Sequence, residues 1–247
     1  MEKRIILLDE IRGFIFVLMA IYHIFFDLEY IFGIHTFMFD YSMYRYVSVI
    51  IGFSYIFISG ISANLSKNIY KRAGICLAVA MIITLCTYIV SPDLVILFGV
   101  LHFLAVAMFC SPFLKKIAKR INPIILIIIC ILGFIMTFNL QLGYLGLKPK
   151  FFIPISYKIR NKKFLFPLGI CSDYFMSGDY YPVFPWIFAY TLGVLTGSEL
   201  LKTHLSKNYY KKHSNILAFC GRHSLILYLT HQVVIVGILV VIFMIIS

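Results

Sequence analysis

The stretch LLDEIRGFIFVLMAIYHIFFDLE, residues 7–29, is long and apolar enough to cross a membrane as a helix, yet it carries ionisable side chains along its length. Asp9, Arg12, His23 and Asp27 fall close to one line on a helix with about 3.6 residues per turn. Arg12 and His23 would then lie roughly 16 Å apart along the helix axis. Because lipid offers no hydrogen bonds, this polar stripe must face protein or water, and its ionisable groups are candidates for function.

The composition of the whole chain agrees with a membrane location. Hydrophobic residues occupy 62% of the 247 positions and the mean hydropathy is +0.95, whereas a soluble domain is only about half apolar. We therefore expect an all-α, polytopic transmembrane helix bundle that forms a single domain over residues 1–247. A span needs about 20 apolar residues, and about seven such segments occur, near 13–33, 44–64, 72–90, 94–112, 121–140, 182–200 and 224–246. The N-terminal segment has no small-residue cleavage site, so we expect it to be a span and not a signal peptide.

The positive charge follows the membrane topology. The formal net charge is +12, but Lys and Arg cluster between the apolar runs, where the positive-inside rule already predicts them. Their distribution favours a cytoplasmic N-terminus and makes nucleic acid an unnecessary partner. The six cysteines lack CxxC spacing and mostly fall inside predicted spans, so they indicate small buried side chains and no metal site.

The longest segment without a predicted span covers about 141–181. It mixes Phe, Tyr and Pro with basic residues, and its last part reads SGDYY, residues 177–181. We expect this loop, which contains Asp179 and Tyr180, to fold over the external mouth of the bundle. An equally simple interpretation is that the aromatic and basic residues only anchor the loop at the bilayer surface.

Several histidines and their neighbours are candidates for chemistry. His23 and His102 fall near the middle of predicted spans, where a lone histidine is more often a packing residue. Asp27 follows His23 by four positions and is placed to orient its imidazole. Arg12 is a permanent cation that pairs well with phosphate, so an extended cofactor such as coenzyme A fits the length of the stripe.

Two further positions remain open on the sequence alone. His35 lies just beyond the first span and is either a second candidate or an ordinary loop histidine. His231 and Gln232 lie inside the last span, where they line a cavity or tie helices together. The Gly-rich phosphate loop, HExxH and GxSxG motifs of soluble enzymes do not occur.

Four stretches resemble one known family. These are LDEIRG (8–13) with Tyr22-His23 and Asp27-Leu28, FGVLHFL (98–104), SGDYYPVFPW (177–186), and GRHSL (221–225) with His231-Gln232. Together they are similar to bacterial proteins that carry the heparan-α-glucosaminide N-acetyltransferase catalytic domain. The spacing of Arg12 and His23 also resembles the arginine–histidine motif of the broader transmembrane acyltransferase superfamily.

The resemblance implies that acyl-CoA is used from the cytoplasmic side and that the acyl group reaches an acceptor on the other side. We expect a multi-pass protein of the bacterial plasma membrane that uses acetyl-CoA or another acyl-CoA and acylates an amine or hydroxyl of an external or cell-envelope sugar. Asp179 and Tyr180 would bind this acceptor. In the lysosomal member, an Asn matches His23 and the catalytic histidine falls near His35, so His23 and His35 remain alternative bases. The expected roles are as follows: Arg12, Asp9, Arg222, His231 and Gln232 bind the cofactor, and His23, Asp27, His35 and His102 are catalytic.

Two rival functions use the same residues. A transporter or proton-coupled channel would employ the intramembrane His, Asp and Arg groups to relay protons or to bind a solute. A structural subunit would use them only to hold helices together. Saturable acetyl-CoA binding favours the enzyme, and the sequence leaves a homo-oligomer open.

Overall fold

A computed structural model describes residues 4–36, 41–90, 92–203 and 206–246. The chain is mainly helical in these ranges, as its long apolar runs predict. The α-helices are α1 (Ile6–Tyr30), α2 (Tyr41–Ala63), α3 (Ile69–Val90), α4 (Val100–Arg120), α5 (Pro123–Thr137), α6 (Tyr157–Arg160), α7 (Val183–Leu200), α8 (Asn215–Arg222) and α9 (Ser224–Ile246). Short 3-10 helices lie at Pro92–Leu94, Leu140–Leu142, Lys163–Leu168 and Lys207–Tyr210.

Six helical segments in the described ranges are long and apolar enough to cross a membrane, namely Ile6–Tyr30, Met43–Ala63, Ile69–Val90, Val100–Arg120, Pro123–Leu142 and Ser224–Ile245. Large aliphatic side chains such as Leu85 and Ile124 are more than half exposed, as a surface that faces lipid requires. The all-α polytopic architecture is thereby confirmed. The segment predicted at 182–200 forms α7, which contains a non-helical residue at Phe184 and is not among the six. Seven spans and a cytoplasmic N-terminus stay predictions.

The chain folds as two compact units, residues 1–55 with 204–247, and residues 56–203. A single domain over the whole chain stays a prediction. The first unit contains α1, α8, α9 and the first part of α2. Within it α1 and α8 pack very closely, because Gly13 and Gly221 let the two backbones touch. A Cβ atom on Gly221 would lie only 1.7 Å from the carbonyl oxygen of Asp9.

The second unit contains the end of α2 and the helices α3 to α7. Ile56, Phe103, Tyr190 and Val194 are 0% exposed and mark its core. Gly60 approaches the backbone of α7 at Gly193, where neither residue has room for a side chain. Small residues permit this close packing, which is typical of helices that associate in lipid.

The segment between α5 and α7 is an ordered part of the second unit. Its strands β1 (Tyr144–Leu147) and β2 (Phe151–Pro154) form an antiparallel hairpin in which Tyr144 pairs with Pro154. Its last residues run beside the start of α4: Tyr180 forms a parallel bridge with Phe98, and the Tyr181 N–H donates to the Phe98 carbonyl at 2.9 Å. The predicted loop at 141–181 is therefore folded, and the side of the membrane on which it lies stays a prediction.

Candidate functional site

A small basic cavity lies between α1, α8 and the segment before α8 in the first unit. It has a volume of about 150 Å³ and is lined by Arg4, Ile6, Asp9, Lys212, Ala218 and Arg222. Three cationic side chains face one carboxylate there, so the cavity is electropositive. Asp9 accepts a hydrogen bond from Arg4 Nε at 2.6 Å, and this bond raises the pKa of Arg4. The arrangement suits a phosphate or another anion.

The cavity includes two of the predicted cofactor residues, Asp9 and Arg222. The sequence interpretation did not single out Arg4 and Lys212, although both lie in basic runs next to apolar segments. Arg12 is not among the lining residues. Its guanidinium is 14% exposed and donates to Asp9 Oδ1 and to the Gly221 carbonyl, both at 3.4 Å. Arg12 therefore stabilises the position of the Asp9 carboxylate, which lines the cavity, and holds α1 against α8.

Glu10 is a second buried carboxylate of α1 that the sequence interpretation did not assign. Its Oε1 accepts the backbone N–H groups of His213 and Ser214 at 2.6 and 2.8 Å, and its Oε2 lies 3.0 Å from His213 Nδ1. Ser214 is the N-cap of α8, so Glu10 satisfies donors at the beginning of that helix. This contact fixes α8, and with it Arg222, against α1.

A second polar cluster joins α1 to α9 in the same unit. It contains His23 and Asp27 from α1 with His231 and Gln232 from α9. The rings of His23 and His231 have centroids 4.9 Å apart. Asp27 is 0% exposed, and Gln232 Nε2 donates to both of its carboxylate oxygens at 2.8 and 3.0 Å.

The expectation that Asp27 orients His23 is corrected by this geometry. The carboxylate of Asp27 binds the amide of Gln232, and His23 Nδ1 is buried with no hydrogen-bond partner among the described residues. The amide of Gln232 has two N–H groups, so this one side chain can donate to both oxygens of the carboxylate. Asp27 thus holds the amide of Gln232, and the predicted cofactor-binding role of Gln232 stays a prediction.

His35, the alternative base, lies in an exposed turn after α1. Its side chain is 95% exposed and its Nδ1 is 4.0 Å from Glu29 Oε1. His35 does not line the basic cavity of the first unit, and it does not line the cavity of the second unit described below. Its catalytic role stays a prediction, as does that of every other predicted site residue.

His102 lies in the second unit and not at the middle of a span. The predicted segment 94–112 is wrong at its start, because α4 begins at Val100 and places His102 in the first turn. The Gly99 N–H donates to His102 Nδ1 at 3.2 Å, so in the neutral ring the proton is on Nε2, which lies 3.2 Å from Thr84 Oγ1. Nδ1 is thus occupied by the N-cap residue of α4, and Nε2 is occupied by Thr84 of α3, which indicates that His102 caps α4 and joins it to α3.

Asp179 also belongs to the beginning of α4. Its Oδ2 accepts the Val100 N–H at 3.1 Å, and it lies so close to Gly99 that a Cβ there would be 2.5 Å away. A carboxylate at a helix N-terminus is stabilised by the unpaired N–H groups and by the helix dipole. Asp179 therefore stabilises the beginning of α4, and its predicted role in acceptor binding stays a prediction.

A cavity with a volume of about 520 Å³ lies in the second unit, and Tyr180 is one of its lining residues. The Tyr180 hydroxyl donates to the Phe166 carbonyl at 2.6 Å and lies 2.9 Å from Cys171 Sγ. Burial raises the pKa of Tyr180 and the pKa of Cys171. The wall of the cavity mixes aromatic and polar side chains, from Gln141, Leu142, Arg160, Cys171, Ser172, Asp173, Phe175, Met176, Ser177 and Tyr180.

The described ranges contain no candidate metal site. Over residues 4–36, 41–90, 92–203 and 206–246, no group of three or more His, Cys, Asp or Glu side chains could hold a metal ion. The polar clusters are instead built from hydrogen bonds and ion pairs between helices.

Comparison with known proteins agrees with the sequence resemblance. The family described as heparan-alpha-glucosaminide N-acetyltransferase, catalytic, matches residues 4–233, which include both polar clusters and both cavities. No curated protein and no solved structure gives a significant match. The chain therefore belongs to the family of the heparan-alpha-glucosaminide N-acetyltransferase catalytic domain, a transferase family, and it is a multi-pass membrane protein.

Proposed function

We propose that this protein transfers an acyl group from acyl-CoA to an amine or hydroxyl of a sugar acceptor, at the His23–His231 pair of the first unit. One observation carries the proposal beyond family membership: α1 alone supplies both a wall of the electropositive cavity and a buried imidazole nitrogen with no partner in the described ranges. An anion-binding end and a reactive side chain on one helix suit a long cofactor with phosphates at one end and a thioester at the other.

The cavity supports the phosphate end of the donor. Arg4, Lys212 and Arg222 give it three positive charges, and Asp9 neutralises one of them. From Asp9 to His23, α1 rises by roughly 21 Å at about 1.5 Å per residue. The arm of coenzyme A is comparable in length, so the thioester would reach His23 while the phosphates stay at the cavity. Arg12 contributes by holding Asp9 and the α1–α8 contact in place.

His23 supports the reactive end. Acyl transfer requires removal of a proton from the acceptor and stabilisation of the negative charge that develops on the thioester oxygen. An imidazole nitrogen without a protein partner suits either task, because it accepts a proton when neutral and unprotonated, and donates a hydrogen bond when it carries hydrogen. His102 is excluded from our proposal, since its ring nitrogens already bind Gly99 and Thr84.

The cavity of the second unit is our candidate for a sugar-binding site within that unit. Its volume falls within the range of small-molecule sites. Phe175 and Tyr180 provide flat apolar surfaces, while Gln141 and Ser172 provide hydrogen-bonding groups, a combination that suits a sugar. Asp179 would act indirectly in this proposal, by fixing the segment that carries Tyr180.

The first test is donor binding by the purified protein in detergent. We expect acetyl-CoA to raise its melting temperature in a saturable way. Lys212→Gln and Arg222→Gln should each weaken acetyl-CoA binding by roughly fivefold or more, since each removes about 1 kcal/mol or more of charge-assisted binding. Lys67→Gln, an exposed residue of the second unit, makes the same change of charge away from the cavity and should leave binding unchanged.

The second test is transfer itself. With acetyl-CoA and glucosamine as probes, mass spectrometry should detect an acetylated product, and His23→Ala should abolish it while acetyl-CoA still raises the melting temperature. Absence of acetyl-CoA binding in the wild-type protein would overturn the proposal. Proton or solute flux in liposomes without any acetyl transfer would instead favour the transporter.

A further inference from the structure

His231 has one ring nitrogen whose protonation is fixed by its own helix. Its Nδ1 lies 2.7 Å from the backbone carbonyl oxygen of Tyr228. A carbonyl oxygen only accepts hydrogen bonds, so Nδ1 carries the hydrogen and donates it. In the neutral imidazole the other nitrogen, Nε2, then has a lone pair. The hydrogen bond of one nitrogen thus sets the chemistry of the other, as it does in general-base histidines.

The lone pair of His231 Nε2 has no protein partner. This atom is buried, and no hydrogen-bond partner for it occurs among the residues that the structure describes. A buried acceptor without a partner is unfavourable, because it has lost its hydrogen bonds to water. Polar groups that join helices form hydrogen bonds with each other. His231 Nε2 forms none among the described residues, so joining helices does not explain its position.

Gln232 presents a second unpaired acceptor beside it. Its Nε2 donates to both oxygens of Asp27, and a carboxylate only accepts, so the orientation of the amide is fixed. Its Oε1 is consequently directed away from Asp27, and it too is buried without a partner in the described ranges. Asp27 is a positioning residue here, since it acts through the amide that it holds.

His23 completes the cluster from the facing helix. Its ring centroid is 4.9 Å from that of His231, and its buried Nδ1 is the third polar atom of the cluster without a described partner. Three such atoms on two packed helices carry a combined penalty of several kcal/mol. Unpaired buried polar groups need an explanation, and binding of a polar reactant is the one that fits all three.

We infer that His231, and not His23, is the base that removes the proton of the acceptor, in the transfer reaction proposed above. The acceptor hydroxyl or amine gives its proton to His231 Nε2 as its oxygen or nitrogen bonds to the thioester carbon. The carbon–sulfur bond then breaks, and the imidazolium returns the proton to the leaving thiolate, which gives the acylated acceptor and the free thiol of coenzyme A. His23 donates a hydrogen bond to the thioester oxygen, and Gln232 Oε1 accepts one from the bound acceptor.

The experiment compares His231→Ala with the matched variant His223→Ala, whose ring is exposed and contacts Phe219. We expect His231→Ala to keep the stabilisation by acetyl-CoA and its KM, while kcat falls by about 10²–10⁴-fold, the usual contribution of a general base. Added imidazole should restore at least about a tenth of the lost rate in His231→Ala. His223→Ala should behave as the wild type does.

Two kinetic results would overturn the inference. One is a kcat of His231→Ala within about threefold of the wild-type value, and the other is a large loss that imidazole does not restore, because a merely structural histidine cannot be replaced by a free base. Nitrogen NMR of protein with isotope-labelled histidine reports which ring nitrogen carries hydrogen. This test needs no acceptor. The wild type should show one signal of a neutral ring with hydrogen on Nδ1 that His231→Ala lacks, and a hydrogen on Nε2 of His231 would contradict the inference.

These arms separate the inference from the proposed function. If wild-type protein neither binds acetyl-CoA nor acetylates glucosamine, the proposed function fails, even where NMR finds the expected form of His231. If the wild type is active and His231→Ala is equally active, only the assignment of the base fails.

Discussion

Gly221→Ala tests the close contact between α1 and α8 on which the basic cavity depends. The added Cβ would lie 1.7 Å from the carbonyl oxygen of Asp9, 2.5 Å from its carbonyl carbon and 2.9 Å from its Cα. All three atoms are backbone, so no flexible side chain can move aside. Ordinary van der Waals contact begins at 3.4 Å, and the two helices must therefore separate by more than an ångström locally.

The expected effect is a large loss of stability. Overpacking typically destabilises a protein by about 1–3 kcal/mol and occasionally by more, and a clash between two backbones belongs at the upper end. We expect about 3 kcal/mol for Gly221→Ala. For a chain of this size, 1 kcal/mol corresponds to about 2–4 °C, so the melting temperature should fall by roughly 6–12 °C.

The assay is thermal unfolding of the purified protein in detergent, with and without acetyl-CoA. The matched control is Gly237→Ala in α9, where a Cβ meets nothing within 4 Å. Alanine is a better helix former than glycine by about 1 kcal/mol, so the control should be unchanged or slightly more stable. Gly221→Ala should also lose the stabilisation by acetyl-CoA, because Asp9 and Arg222 line the cavity that it distorts. A melting temperature within 2 °C of the wild-type value, on the order of 1 kcal/mol or less, would refute the packing argument.

Three further substitutions should act through single contacts. Glu10→Gln removes the negative charge that faces the N–H groups at Ser214 and the residue before it, and should lower the free energy of unfolding by about 2 kcal/mol in denaturant titration; an unchanged transition would contradict this. His102→Ala removes a cap of α4 and should destabilise the fold by about 1–2 kcal/mol, yet leave kcat of any surviving protein near that of wild type; a folded but inactive variant would return His102 to the catalytic residues. Tyr180→Phe leaves the Phe166 carbonyl without its donor and should destabilise by about 1–2 kcal/mol in neutral buffer. The pKa of Tyr180 is raised, so its contribution is complete below the ordinary pKa of a tyrosine and is lost as pH rises; the difference from wild type should shrink in strongly alkaline buffer.

The sequence predicts the polar stripe of α1 well, because its argument is local. Four ionisable residues on one apolar helix cannot all face lipid, and the structure buries Asp9 and Asp27 against neighbouring helices. The partners are not local. Glu10 binds residues 203 and 204 positions away, and Asp27 binds Gln232 across 205 positions. Helical periodicity contains no information on such distant pairs.

His102 illustrates a different limit. The run VILFGVLHFLAV, residues 95–106, is apolar except for His102, so hydropathy cannot locate the beginning of a helix inside it. Gly99 was the available signal, because glycine is acceptable as an N-cap and a polar residue three positions later can bond back to its N–H. Local hydrogen bonding, and not hydrophobicity, decides where α4 begins.

The stripe along α1 has two ends with different partners. Near its beginning, Asp9 lines the electropositive cavity and Arg12 donates to the Gly221 carbonyl of α8. Within its last two turns, His23 and Asp27 contact α9. One continuous helix therefore sets the separation of the two clusters, at about 1.5 Å per residue. A reactant that binds at both must match this length, so in our proposal α1 selects the donor by the length of its arm. In the same proposal the acceptor gives its proton to His231 Nε2, the nitrogen opposite the one that binds the Tyr228 carbonyl.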